Sequence, residues 1–253
     1  MLFSIEGKTA LVTGGSRGIG EMIATGFVEA GVKTYIASRK LAVCEEVAGR
    51  LSEIGECIPL QADLSTEAGC QALGAEIAER ENRLDILVNN AGAAWGAPIA
   101  DFDEAAFERA LALNVKGVFH LTKSLLPLLQ AAGTTEEPAR VINIGSIDGL
   151  RVPTLETYSY SASKAAVHML TRHLAKRFAP TITVNAIAPG PFQSQMMRAT
   201  LEAAGDAIAA ANPLKRIGRP DDMAGTAIFL SSRAGSYLTG TVIPVDGGIS
   251  TVG

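Results

Sequence analysis

The chain has 253 residues, 47% of them hydrophobic and 19% charged, with a mean hydropathy of +0.23 and a formal net charge of −4. That composition belongs to a soluble globular protein with a large core, and its interspersed acids and bases form no basic stripe of the kind that nucleic acid or an anionic membrane requires. The amino-terminal MLFSIEGKTALVTGG has no basic region followed by a long apolar stretch, and no apolar run is long enough to cross a bilayer, so the sequence predicts a cytoplasmic protein with neither a membrane nor nucleic acid as partner. Cys44, Cys57 and Cys70 are an odd set without a C-x-x-C pair, and His120, His168 and His173 are scattered, so neither a disulfide framework nor a metal site is expected.

In chain order, short β-branched or apolar runs recur as TALVT (9–13), KTYIAS (33–38), CIPLQ (57–61), LDILVNN (84–90), RVINIGS (140–146), ITVNAIA (182–188) and TVIPVD (241–246). Between them lie EMIATGFVEAG, AVCEEVAGRLSEIG, AGCQALGAEIAEREN and similar segments with apolar residues three and four apart, the period of a helix with one buried face. This alternation predicts an α/β fold: a doubly wound sheet of seven mostly parallel strands, joined by right-handed crossovers, with helices on both faces. No linker divides the chain and no repeat is visible, so a single domain over 1–253 is expected.

In such a sheet, ligands bind beyond the carboxyl ends of the strands. The first strand runs into TGGSRGIG (13–20) and then a helix: Gly14 permits a tight turn, Gly18 lets the backbone approach a phosphate, and Gly20 allows close helix packing, with helix N–H donors turned to the anion. A plain tight turn uses glycines in the same way, and both readings stand at this point. Ser146 ends the RVINIGS strand, where its hydroxyl is expected to reach a cleft and to hydrogen-bond a carbonyl oxygen as negative charge develops.

TGGSRGIG, the ADL at 62–64, NNAG at 89–92, the asparagine of LNVKGVF (113–119), Ser146, the Y-x-x-x-K at 160–164, PG at 189–190 and DGG at 246–248 occur in the order and spacing of the short-chain dehydrogenase/reductase family, which the chain resembles over essentially its whole length. The resemblance implies a Rossmann-type domain, a nicotinamide cofactor, a small carbonyl or alcohol substrate and commonly a homotetramer. It also implies catalytic roles for Asn114, Ser146, Tyr160 and Lys164. NNAGAAWG, PARVINIGS and YSYSASK resemble in particular the β-ketoacyl reductases of the rhamnolipid-pathway type, so reduction of a 3-ketoacyl thioester or related ketone is expected.

YSYSASK holds two tyrosines, and helical geometry separates them. Tyr160 is four residues from Lys164 and shares its face, whereas Tyr158 precedes Lys164 by six and points elsewhere. The Lys164 ammonium is expected to draw the Tyr160 pKa down towards the working range, and the family's matching lysine also holds the nicotinamide ribose. Ser159, Ser161 and Ser163 are read as helix surface or packing. Asn114 lies in an apolar helical stretch, either as a buried structural amide or, as the resemblance implies, at a local irregularity where a backbone carbonyl holds a water leading from Lys164.

The remaining cofactor contacts follow from the resemblance: Ser16, Arg17 and Ile19 with the three glycines of the turn; Asp63 and Leu64 at the adenine; Asn90, Ala91 and Gly92 along the adenosine half; and Pro189, Gly190, Phe192 and Ser194 at the carboxamide. Asp63 also reads as a helix cap. Phe192 and Ser194 replace the family's usual aliphatic residue and threonine, which predicts a bulkier nicotinamide pocket. The second strand ends YIASR with no acid, and Arg39, joined by Arg17, suits a 2′-phosphate, so NADPH/NADP+ is expected over NADH, although both arginines also read as ordinary surface groups. Trp95 is either an acyl-pocket wall or packing. Asp148 and Arg151 keep a sugar acid or polyol dehydrogenase in view, and a non-catalytic NADP-binding sensor is the alternative of another class.

Overall fold

A computed structural model describes residues 1–252. Seven strands, β1 (Thr9–Thr13), β2 (Lys33–Ser38), β3 (Cys57–Gln61), β4 (Ile86–Asn89), β5 (Ala139–Ile144), β6 (Ile182–Pro189) and β7 (Val242–Val245), form one sheet in the order β3-β2-β1-β4-β5-β6-β7. Every pairing is parallel. The central strands read as continuous apolar runs because both faces are covered, and every residue of β5 and β6 is buried. Helices α1 (Gly18–Glu29), α2 (Leu41–Leu51), α3 (Glu67–Arg80), α4 (Glu104–Leu111), α5 (Val118–Ala132), α6 (Tyr158–Phe178), α7 (Arg198–Ala211) and α8 (Pro220–Ser231) supply the rest. Val12, Ile36, Ile142 and Ile187 share one core with Phe27 of α1 and Met223 of α8, and Leu11, Leu87, Val141 and Val184 share the other with Leu73 of α3, Leu125 of α5 and Leu174 of α6.

The strand order reverses between β1 and β4, which opens a crevice at their carboxyl ends. There the Thr13 hydroxyl accepts from the backbone N–H groups of Asn90 and Ala91 and donates to the Val88 carbonyl, while Asn90 Nδ2 donates to the Thr13 carbonyl at 2.8 Å. These bonds clip the two strand ends together. β5 stops at Ile144 rather than at Ser146, because Gly145 still donates to Ile187 O but the Ser146 hydroxyl then accepts from Asp148 N at 3.1 Å and starts a 3₁₀ turn over Ile147–Gly149. No helix among the described residues is long and apolar enough to cross a membrane. The three cysteines are buried free thiols.

Candidate active site

The glycine-rich turn leaves β1 through Gly14 at φ +63°, a left-handed conformation that favours glycine, and a Cβ at Gly20 would lie 2.2 Å from the Gly14 carbonyl oxygen. The first turn of α1 therefore abuts the loop backbone. Gly18, also left-handed at φ +53°, faces Ser194. Ser16 donates to Ser38 at the end of β2, and Ile19 packs on the core. Arg39 is exposed, and only its backbone carbonyl is engaged, by Gln61 Nε2. Arg17 is exposed as well, and its guanidinium donates to Gln195.

Asp63 accepts from the Ser65 backbone and hydroxyl, which together hold its carboxyl below the usual range, with Arg39 nearby contributing the same way. The helix cap is Thr66, not Asp63: its side chain accepts from Gly69 N at the start of α3. Leu64 is buried beside it. Gly92 sits where a Cβ would be 3.3 Å from Asn114 Oδ1 and 3.7 Å from Lys164 Nζ. A β2 end with a free guanidinium and no acid, together with a turn of close-packed glycines, suits a dinucleotide carrying an extra anionic group near Arg39.

At the end of β6, Gly190 N donates to Val245 O, and Ser194 accepts from Met197 N. Phe192 overturns an expectation. Its ring is 2% exposed, belongs to the core with Ile187 and Met223, and lies on Gly218, where a Cβ would meet it at 2.3 Å. The aromatic ring does not enlarge one wall of the nicotinamide pocket, because an isolated bridge between Phe192 and Gly218 turns it inward.

Asn114 lies in a π-helical turn, Ala112–Gly117, between α4 and α5. Its amide is fully engaged: Oδ1 accepts from Ala93 N at 2.8 Å, and Nδ2 donates to Ala93 O and to Ser163 Oγ, both at 2.9 Å. Ser163 in turn donates to the Tyr160 carbonyl at 2.7 Å. Of the two readings of Ser163, surface or packing, the structure takes packing: it is fully buried and ties the asparagine to the tyrosine's own turn of α6. Its one sequence signal is its place on the same helix, directly before Lys164.

Tyr160 and Lys164 meet as the helical spacing predicts, with Lys164 Nζ 5.4 Å from the tyrosine ring centroid. Tyr158 is exposed, bound to Glu156 at 2.7 Å and edge-on to Phe102. The expected lowering of the phenol by the lysine is not what the fold produces. Burial pushes Tyr160 up to about 12, the neighbouring Ser146 hydroxyl opposing it and the Asp148 charge adding to it, while burial pushes the Lys164 ammonium down to about 8. The physical reason is that the phenol is itself desolvated, while one N–H of the buried Lys164 ammonium is given to the Ile144 carbonyl at 2.8 Å. Ser146 is buried, and its oxygen accepts from Asp148 N–H while its hydroxyl faces Tyr160, so the hydroxyl proton points into the site as a donor. Trp95 is 50% exposed, and the Arg151 guanidinium is exposed and donates to Ile249 O.

Residues 14–250 match the family described as Enoyl-(Acyl carrier protein) reductase. The chain is 49% identical to the rhamnolipids biosynthesis 3-oxoacyl-[acyl-carrier-protein] reductase of Pseudomonas aeruginosa over 249 residues, 97% of each protein. Its fold superimposes on the NADP active-site complex of Pseudomonas aeruginosa RhlG with a TM-score of 0.95, at 48% identity and over 98% of both chains. It is similar as well to a gluconate 5-dehydrogenase from Burkholderia cenocepacia in complex with NADP and tartrate, at a TM-score of 0.91 and 32% identity, over 100% of this chain and 98% of the other. With its parallel seven-stranded sheet, its glycine-rich turn and its Ser146, Tyr160 and Lys164 brought together, this chain belongs to the short-chain dehydrogenase/reductase family.

Proposed function

We propose that this protein is an NADPH-dependent oxidoreductase that reduces a ketone to an alcohol, with 3-oxoacyl thioesters as its substrate class. The observation that carries the reading is the grouping of the Ser146 hydroxyl, the Tyr160 phenol and the Lys164 ammonium at the carboxyl end of β5, beside the Gly92 segment. The likeness to the Pseudomonas reductase and to its NADP complex supports the choice of substrate and cofactor. When bound, the reduced nicotinamide supplies the hydride that adds to the carbonyl carbon.

This chain's own residues position and protonate. Ser146 donates its free hydroxyl proton to the carbonyl oxygen as negative charge grows there. Tyr160, whose pKa near 12 keeps it a phenol at neutral pH, delivers the proton that completes the alcohol. The phenolate left behind forms beside the Lys164 ammonium, which stabilises it. Asn114, locked between Ala93 and Ser163, holds the Gly92 segment against α6. Gly14, Ser16, Gly18, Ile19 and Gly20 would cradle the phosphates, Arg39 would receive the 2′-phosphate, with Arg17 joining it on leaving Gln195, Asp63 and Leu64 would take the adenine, and Asn90, Ala91 and Gly92 would line the adenosine half. Pro189, Gly190 and Ser194 would meet the carboxamide, with Phe192 contributing through its backbone alone.

A cytoplasmic homotetramer belongs to the same reading, and light scattering on purified protein tests the assembly. The test of function is NADPH oxidation, followed at the nicotinamide absorbance band, against acetoacetyl and longer 3-oxoacyl thioesters, simple diketones and keto sugar acids. Turnover of the thioesters is expected. Turnover confined to sugar acids would make the protein a sugar acid or polyol dehydrogenase, and none with any carbonyl would make it an NADP-binding sensor.

A further inference from the structure

His168 is 3% exposed and plays no part in the chemistry described above, yet it lies directly beneath the turn that carries Ser146. It sits on α6 one turn beyond Lys164. A Cβ at Gly145 would fall 2.2 Å from His168 Nε2, and a Cβ at Gly149 would fall 2.8 Å from His168 Cε1 and 2.7 Å from the Lys164 carbonyl carbon. The imidazole thus occupies the space on both sides of Ser146, and the two glycines bracketing the 3₁₀ turn leave room for it. Neither ring nitrogen has a hydrogen-bond partner of normal geometry, although the Gly149 backbone is close enough to favour the protonated ring. Burial overrides that influence, with the Lys164 and Arg172 charges adding to it, and holds His168 down to about 4. The ring is therefore neutral at working pH and adds no second charge beside Lys164.

We propose that His168 is a positioning residue for Ser146: its imidazole, wedged against Gly145 and Gly149, fixes the turn that presents the Ser146 hydroxyl to the substrate carbonyl oxygen. Three observations converge on this role. Ser146 and Asp148, joined by a hydrogen bond in which the serine oxygen accepts, both lie between the two glycines. Gly145 is pinned to β6 through Ile187 O and Gly149 to Ser146 O, so a shift of the ring moves the backbone on either side of the hydroxyl. The buried imidazole also sets its polar atoms against the Gly145 and Gly149 backbone, so the ring's seat and the turn's course depend on one another.

The inference rests on the reading of Ser146 as the donor to the carbonyl oxygen, and a double-mutant cycle separates the two. kcat, KM and NADPH affinity by fluorescence are measured for wild type, His168→Ala, Ser146→Ala and the double variant, with melting curves to establish folding. His168→Ala is expected to lower kcat about tenfold through misplacement of one group, leaving NADPH affinity unchanged. In the Ser146→Ala background the same change should have no further effect, because nothing remains to be positioned. Free imidazole should restore part of the His168→Ala rate.

Equal losses in both backgrounds, or a folded His168→Ala with wild-type kcat, would overturn the role of His168 while leaving Ser146 in place. A wild-type kcat for Ser146→Ala alone would overturn both. If His168→Ala does not fold, His168→Asn and His168→Leu carry the same cycle, with the polar variant expected to retain more kcat than the apolar one and the reverse order counting against the proposal.

Discussion

On the cofactor side of the cleft, Thr13, Asn90 and Asn114 are closed into hydrogen bonds by buried strand ends and one π turn, whereas the facing side, formed by residues 93–102, 150–157 and 194–211, presents Trp95, Ile99, Val152 and Met196 to solvent. α7, on that second side, buries none of its residues and bends at Ala204. The difference is one of tolerance. A polar network buried between strands has one arrangement that satisfies every group, while a wall of loops and a lightly packed helix adapts to different substrates at small cost. On the proposed function, chemistry and cofactor thus belong to the rigid side and substrate choice to the loose one.

Substitutions on the rigid side should be severe and insensitive to substrate. The largest effect is expected for Tyr160→Phe, which removes the donated proton but keeps the ring: steady-state turnover should fall about a thousandfold or more, with NADPH affinity nearly unchanged. Tyr158→Phe, on the exposed partner of Glu156, should be nearly silent. A reversed ranking would move the proton donor to the loose side of the cleft and break the comparison.

Lys164→Met probes the cost of the buried ammonium through stability. The folded pKa of about 8 lies below the ordinary 10.5, so between those values the unfolded chain binds the proton that the folded one has released. Stability contributed by this position is therefore lowest below about pH 8 and rises with pH through that window, by about 3 kcal/mol in all. Denaturant unfolding at neutral and alkaline pH should show wild type gaining on Lys164→Met as pH rises. A constant difference would mean that the lysine is not desolvated as the fold implies.

Arg39→Asp is expected to lower kcat/KM for NADPH about thirtyfold, by exchanging a charge-assisted contact for repulsion, and to leave NADH equal or improved. An equal loss with both cofactors would remove Arg39 from the 2′-site. Smallest of all, Trp95→Ala should raise KM about threefold for long acyl substrates through lost apolar contact and leave acetoacetyl substrates unaffected. Should kcat fall for every substrate instead, Trp95 belongs with the rigid side.

Legibility followed a different division, between residues whose partners are near in the chain and those whose partners are distant. The strands were readable because burial on both faces demands unbroken apolar runs, and Tyr160 with Lys164 because four residues on a helix span one turn. Phe192 was misjudged because its partner, Gly218, lies far along the chain and only their bridge turns the ring inward. Ser163 stays open between surface and packing for a similar reason: its partner Asn114 reaches it from a π turn that periodicity cannot reveal. Asp63 reads as a helix cap on local sequence, but Ser65 engages its carboxylate and Thr66 caps α3 instead.

By itself, the sequence determined the order of strands and helices, the glycine-rich turn, the absence of an acid at the end of the second strand, and the pairing of Tyr160 with Lys164. All of these depend on residues close in the chain, whose backbone geometry or hydrophobic period is local. The tertiary structure alone decided the protonation balance of Tyr160 and Lys164, the inward turn of Phe192 and the place of His168 beneath Ser146. Desolvation and close packing depend on what distant segments bring to the same point, and no local period encodes that.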